Sequence, residues 1–240
     1  MNRLFQFYTM VVVLFFFPII ALADGFGINA TRLIYPQGTN SISTTVRNTQ
    51  SNLPYLVQVS ISKAQDSYIA TPFSVTPPLF RLEPKSINQI RIAGNDASLP
   101  KDRESIFYFH ATAIPATDKP ASEPQVDDVH AAVQFGVGSV IKMFYRPTGL
   151  SSTSSAAQKH LQFSRHSDGL LVTNPSPFFV SLASIQFGGQ SLKLDTPEAL
   201  TIAPFSSHTY SAEMKSGSLE VEWQTINDQG GINVFKQLLP

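Results

Sequence analysis

Residues 55–62, Tyr55-Leu56-Val57-Gln58-Val59-Ser60-Ile61-Ser62, set Tyr55, Val57, Val59 and Ile61 on one side of an extended chain and Gln58, Ser60 and Ser62 on the other. Side chains two apart in a strand project to the same face, so this is the pattern of a half-buried strand. It recurs along the chain. Ile90 and Ile92 flank Arg91, and Leu219, Val221 and Trp223 flank Glu220 and Glu222. Turn chemistry separates the runs at Pro36-Gln37-Gly38, Ser51-Asn52-Leu53-Pro54, Asn174-Pro175, Gly188-Gly189 and Asn227-Asp228-Gln229-Gly230-Gly231. No window carries a convincing helical spacing of apolar residues. The fold is therefore read as all-β, with sandwich layers.

One boundary stands out. The strand-like run Val140 to Tyr145 gives way to Arg146-Pro147-Thr148-Gly149 and then to Ser151-Ser152-Thr153-Ser154-Ser155. Proline cannot continue a ladder, and a Ser/Thr stretch has nothing to bury. The segments on either side each approach the ~100 residues of one seven-stranded sandwich. This predicts a first domain over 24–147, a linker over 148–157 and a second domain over 158–240. Ala116 to Asp128, rich in Pro, Ala, Asp and Glu, reads as a long mobile loop inside the first domain.

The first 23 residues stand apart. Arg3 is their only charged side chain, an apolar run follows from Leu4 to Ile20, and Ala21-Leu22-Ala23 supplies small residues at both positions a signal peptidase reads. This predicts a cleaved secretory signal over 1–23, with a membrane anchor as the alternative. Over the 240 residues, 17 Lys+Arg balance 17 Asp+Glu, which argues against a nucleic-acid footprint. The absence of cysteine removes disulfide frameworks and thiolate metal sites. An exported, cysteine-free chain of this size fits a bacterial periplasm, because its cores can carry stability unaided.

Catalytic motifs do not emerge. There is no Gly-x-Ser-x-Gly elbow, no phosphate-cradling glycine loop and no His-Glu-x-x-His. His110, His130, His160, His166 and His208 show no metal-ligand spacing, so they read as solvated or locally bonded. The carboxylates, Asp127-Asp128 among them, are scattered. No cofactor and no metal is expected, and an enzyme is the weaker hypothesis.

Two features ask for more. Val133, Phe135, Val137 and Ile141 line one face of a strand whose other face carries Gly136 and Gly138. That row fits either a core or an edge that pairs with a foreign chain. Lys142 lies between Ile141 and Met143, and Arg32 just precedes Leu33-Ile34-Tyr35. A cation in an apolar strand must reach water or find an anion, whether an internal partner or a ligand.

At this point the motifs resemble a known family. Leu99-Pro100-Lys101-Asp102-Arg103-Glu104-Ser105-Ile106-Phe107-Tyr108-Phe109, running to Ala113-Ile114-Pro115, looks like the signature of the periplasmic pilus-assembly chaperones of the P-pilus type. Leu53-Pro54-Tyr55-Leu56, Thr76-Pro77-Pro78, Arg81-Leu82-Glu83-Pro84 and Ile141-Lys142-Met143-Phe144-Tyr145-Arg146-Pro147 extend it. Asn174-Pro175-Ser176-Pro177-Phe178-Phe179 and Ile226 to Gly231 carry it into the second domain.

The resemblance implies two immunoglobulin-like sandwiches set as an L or boomerang. It implies that Arg32 and Lys142 anchor the C-terminal carboxylate of a pilin subunit. It implies that Val133, Phe135, Val137 and Ile141 are donated to a subunit lacking one strand. Glu104, Arg146 and Asp228 would form an interdomain ion network. Strict alternation places Lys142 opposite the donor row, which predicts a twist, a bulge or a lysine reaching the cleft from the strand's end. The signature usually carries Asn where this chain has His110. The spacing from Pro115 to the donor row resembles the long-loop subfamily, which usually staples this hairpin with a disulfide.

The leading expectation is thus a non-enzymatic periplasmic chaperone that holds pilin subunits and delivers them to an outer-membrane usher. Its unpaired apolar edge predicts a self-capped dimer when free. The alternatives are an adhesive or structural immunoglobulin-like protein, and an exported enzyme with a carboxylate site.

Overall fold

The computed structural model describes residues 25–66, 69–94, 98–116, 135–212 and 220–239. The signal over 1–23, Val133 and nearly all of the loop from Ala116 to Asp128 lie outside them. The first domain contains β1 (Phe26–Ile28), β2 (Arg32–Pro36), β3 (Ser41–Asn48), β4 (Tyr55–Ser62), β5 (Phe73–Thr76), β6 (Leu79–Leu82), β7 (Ser86–Gly94), β8 (Ser105–Pro115) and β9 (Val137–Arg146). The second contains α1 (Ser154–Lys159), β10 (Gln162–His166), β11 (Gly169–Asn174), β12 (Val180–Phe187), β13 (Gln190–Ser191), α2 (Pro197–Leu200), β14 (Thr201–Ile202), β15 (Ser206–Ser211), β16 (Glu220–Ile226) and β17 (Ile232–Leu238).

Each domain is a two-layer sandwich. In the first, a sheet ordered β1-β3-β7-β5 faces one ordered β2-β9-β8-β4-β6. In the second, β10-β11-β15 faces β13-β12-β16-β17, with β14 added beside β12. The period-two pattern is the reason. Tyr55, Val57 and Val59 of β4 turn into the first core, as do Ile90 and Ile92 of β7 and Phe107, Phe109, Ala111 and Ala113 of β8. Phe73 joins the two sheets, its ring edge-on to Tyr35 and to Phe107, each at 4.9 Å. In the second core Trp223 packs on Phe163 at 4.6 Å, among Val172, Leu182 and Ile185.

A buried asparagine closes a corner of each sandwich. Asn48 Nδ2 donates to the carbonyls of Leu53, Glu83 and Leu82 at 2.8, 3.1 and 3.4 Å. Asn174 Nδ2 does the same for Phe178, Ala203 and Ile202 at 2.7, 3.0 and 3.3 Å. Each amide thereby satisfies carbonyls that a turn would otherwise bury unpaired.

Three expectations need correction. Two short helices exist although no helical period is legible. Thr153 caps α1 by accepting from the Ala156 N–H, and Thr196 caps α2 by accepting from the Ala199 N–H with Pro197 at its start. Six and four residues are too few to show a repeat. The linker read over 148–157 also ends early, because α1 begins at Ser154 and buries Ala157 in the second core. Gln158 pins that helix: its backbone carbonyl accepts from Trp223 Nε1 at 2.9 Å, and its Oε1 accepts from Thr225 Oγ1 and Asn233 Nδ2. Finally, β9 starts at Val137, so Phe135 precedes the strand.

Replacing Asn174 with alanine removes the side-chain donor shared by three carbonyls at a buried corner. The expected cost is roughly 2–3 kcal/mol of unfolding free energy. A denaturant melt should show a lower midpoint with an unchanged slope.

Candidate functional site

The site lies where β9 runs between the domains. Its register with β8 is continuous from Ala113↔Val137 to Ser105↔Tyr145, with no bulge. Alternation therefore holds throughout, so of the three routes expected for Lys142 the bulge is absent. Met143 and Tyr145 point into the first core, with Ile141 packed against it. Lys142 and Phe144 point the other way, toward the second domain. Lys142 Nζ donates to Thr201 Oγ1, and the Phe144 ring meets Phe179 at 5.7 Å.

On its far side β9 pairs with β2 in parallel, and that ladder begins at Arg32↔Lys142 and runs to Pro36↔Arg146. Leu33 and Tyr35 of β2 are core residues, so Arg32 turns outward onto the face of Lys142 and Phe144. Its guanidinium carbon lies 5.8 Å from the Phe144 ring centre. Arg32 Nη1 donates to the Ile226 carbonyl at 2.8 Å, while the buried Nε has no hydrogen-bond partner among the described residues. Both cations are electrostatically uneasy. Burial lowers the pKa of Arg32, an effect the Asp228 and Glu104 charges oppose. Burial, then repulsion from Arg32, brings Lys142 from 10.5 down to about 8. The arrangement suits an anion.

Residues 137–141 of β9 continue past the start of β2. Among the described residues no strand is hydrogen-bonded to their edge on that side. Val137 is 48% exposed there and Phe135 is 79% exposed. Gly138 is not demanded by the chain's own packing, since an added Cβ would meet only Thr112 Oγ1, at 4.0 Å. Beside this stretch a groove of about 550 Å³ separates Val140 and Tyr108 from Pro197 and Glu198 of the second domain.

The remaining named residues come together beneath the cleft. Arg146 Nε donates to Glu104 Oε1 at 2.6 Å, and Nη1 and Nη2 fork onto Asp228 at 2.6 and 3.0 Å. Glu104 Oε2 accepts the Phe179 N–H at 2.9 Å, and Asp228 Oδ1 accepts from Ser154 Oγ at 3.0 Å. Both sandwiches thus meet on one guanidinium. The two carboxylates respond differently. Burial raises the Glu104 pKa and Arg146 only partly offsets it. For the more exposed Asp228 burial acts the same way, but the Arg146 bonds prevail and the pKa is lowered.

His110, where the signature usually carries Asn, is buried on β8 with its Nε2 2.7 Å from Ser62 Oγ. Thr201, Phe179 and the Ile226 carbonyl also shape the cleft but were not singled out from sequence. Phe179 and Ile226 lie within quoted motifs. Thr201 carries no local signal and enters only because β14 packs beside β12.

The comparisons with known proteins agree with this architecture. Residues 25–151 match the model described as "Pili and flagellar-assembly chaperone, PapD N-terminal domain", and residues 156–237 match "Pili assembly chaperone PapD, C-terminal domain". The chain belongs to this family of pilus-assembly chaperones. It is 36% identical over 206 residues to the probable fimbrial chaperone protein ElfD of Escherichia coli K12, covering 86% of this chain and 83% of the relative. It is 33% identical over 221 residues to the chaperone protein Caf1M of Yersinia pestis, covering 87% and 83%. Among solved structures, the E. coli chaperone DraB aligns with a TM-score of 0.74 at 32% identity, covering 90% of this chain and 97% of that one. The Salmonella enterica SafB chaperone, solved in complex with the SafA pilin, aligns at 0.74 and 29% identity, covering 91% and 98%.

Two outcomes follow from the electrostatics. Protonated Lys142 is disfavoured in the folded state below about 8, and that penalty is relieved as pH rises from about 8 toward 10.5. Stability should therefore gain over that window, and Lys142→Met should remove the gain in melts taken across it. Arg146→Ala leaves Glu104 buried and uncompensated, with an expected loss of roughly 3–5 kcal/mol at neutral pH. Because the Glu104 pKa is raised, the variant's deficit should shrink as pH falls and the carboxyl protonates.

Proposed function

We propose that the protein is a periplasmic chaperone that lends the edge of β9 to a pilin subunit lacking one strand. The carrying observation is the edge at 137–141, open among the described residues, that ends at the paired cations Arg32 and Lys142. A subunit strand added along this edge would satisfy its own backbone groups and those of β9. If its terminal carboxylate meets Lys142, the strand runs parallel to β9 and in line with β2. Phe135 and Val137, with Val133 beyond them, would fill the subunit's apolar groove at about 1.5–3 kcal/mol per buried side chain before ordering costs. Ile141, packed on the first core, closes the row.

Arg32 suits a carboxylate because Nη1 is already committed to Ile226, leaving the Nε edge for a two-pronged bond. Lys142 adds a point charge. The carboxylate would set register, so that each apolar residue meets its pocket. Glu104, Arg146 and Asp228 hold the domains at the angle that keeps both cations in the cleft. Gly138 lets a foreign backbone approach. Export through a cleaved signal over 1–23 and delivery to an outer-membrane usher complete the reading, with no catalytic step. In the free protein the same edge would pair with a second copy.

The test is recovery of a small immunoglobulin-like subunit with tagged protein from periplasm expressing pilin-like genes. Wild type should retain the subunit. Lys142→Ala, still folded, should lose it, and wild-type binding should weaken as pH rises past about 8, where Lys142 loses its charge. Equal recovery by both proteins would remove Lys142 from the mechanism.

A further inference from the structure

Two buried side-chain polar atoms lack a hydrogen-bond partner among the described residues, Arg32 Nε and Ser181 Oγ. They belong to different domains, Arg32 on β2 of the first and Ser181 on β12 of the second. Ser181 on β12 pairs directly with Thr201 on β14, as its neighbour Val180 pairs with Ile202. Val180 and Ile202 both sit in the second core, so alternation turns Ser181 and Thr201 away from it, onto one face. That face meets the first domain, because Thr201 Oγ1 accepts from Lys142 Nζ. Phe179, two residues before Ser181, lies against Phe144 on the same side.

An orphaned buried hydroxyl is costly and asks for an explanation. Ser181 is only 2% exposed, so bulk water does not supply one. A hydroxyl that accepts from an ammonium still has its own hydrogen to give, and a lone serine hydroxyl has one too. An ionised carboxylate accepts only, at about four lone-pair sites on two oxygens. The cleft offers a matching set of donors: the Nε edge of Arg32, Lys142 Nζ, and the hydroxyls of Thr201 and Ser181.

We propose that Thr201 and Ser181 complete the carboxylate site from the second domain, so that the subunit's terminus is held by both domains at once. This rests on the carboxylate-anchor reading of Arg32 and Lys142. The ligand group is a free C-terminal carboxylate, and a C-terminal amide would lose both its charge and two acceptor positions. Because β12 and β14 belong to one sandwich and Arg32 and Lys142 to the other, recognition also reads the angle between domains. A subunit whose terminus is correct would then dock only onto a chaperone whose Arg146 network is intact.

The experiment measures binding of a synthetic peptide of alternating valine and threonine, made once with a free C-terminal carboxylate and once as the amide. Calorimetry on the full chain gives the acid-to-amide preference for wild type, Thr201→Val, Thr201→Ser, Ser181→Ala and the double variant Thr201→Val with Ser181→Ala. The expected result is a wild-type preference for the acid, reduced about tenfold by Thr201→Val and about tenfold by Ser181→Ala, the lower end for a hydrogen bond to a charged group. Thr201→Ser, which keeps the hydroxyl, should retain the preference. A merely structural role would weaken acid and amide alike. A wild-type preference that survives in a folded double variant overturns the inference and leaves the Arg32 and Lys142 anchor standing. Wild type without a preference overturns both. Should the double variant unfold, Ser181→Ala alone decides in the same way, since it removes one unbonded oxygen.

Discussion

A single guanidinium sets the geometry of the whole molecule. Arg146 ends β9, the strand that carries the cleft residues, and its donors reach Glu104 at the start of β8 and Asp228 in the turn between β16 and β17. Glu104 then receives the Phe179 N–H, and Phe179 lies against Phe144. Two sandwiches with separate cores would otherwise meet through few contacts and move freely. A buried ion pair is weak evidence of net stability, because desolvation offsets much of the attraction. Its value here is orientation. With the Phe144–Phe179 contact and the bond from the Glu104 N–H to the Pro177 carbonyl, it fixes the interface at which Lys142 faces Thr201 and Arg32 faces Ile226.

That orientation creates two opposed strains which the proposed function relieves together. Two cations are held near each other in partial burial, with the Lys142 pKa brought down to about 8. Beside them, among the described residues, an apolar strand edge has no strand paired to it. A chain bringing a carboxylate and a strand would answer both, one by charge and one by backbone pairing and apolar burial. In the proposed complex the carboxylate would contribute register and the edge area.

Much of this was legible in the chain. Period-two runs placed Val57, Val59, Ile90, Ile92, Val221 and Trp223 in cores, because a strand has only two faces and one must be dry. Lys142 and Arg32 stood out because an ammonium or guanidinium among apolar neighbours needs a reason. The helices were missed since a capped turn of four or six residues leaves no repeat. The donor row was read as one face, yet the fold divides it, with Ile141 packed on its own core and Phe135 exposed ahead of the strand. Alternation alone cannot say which layer a face meets.

The sequence by itself determined the strands, their inward faces, the two-domain division and the presence of cations among apolar neighbours, all properties of local spacing and chemistry. Tertiary structure decided which residues meet. Ser181 and Thr201 are ordinary hydroxyls in the sequence. They become neighbours only because β14 lies beside β12, and Thr201 meets Lys142 where the Arg146 network, Phe144–Phe179 and Arg32–Ile226 bring the domains together. Such contacts join residues far apart in the chain, and they depend on packing and interdomain angle, which no local pattern encodes.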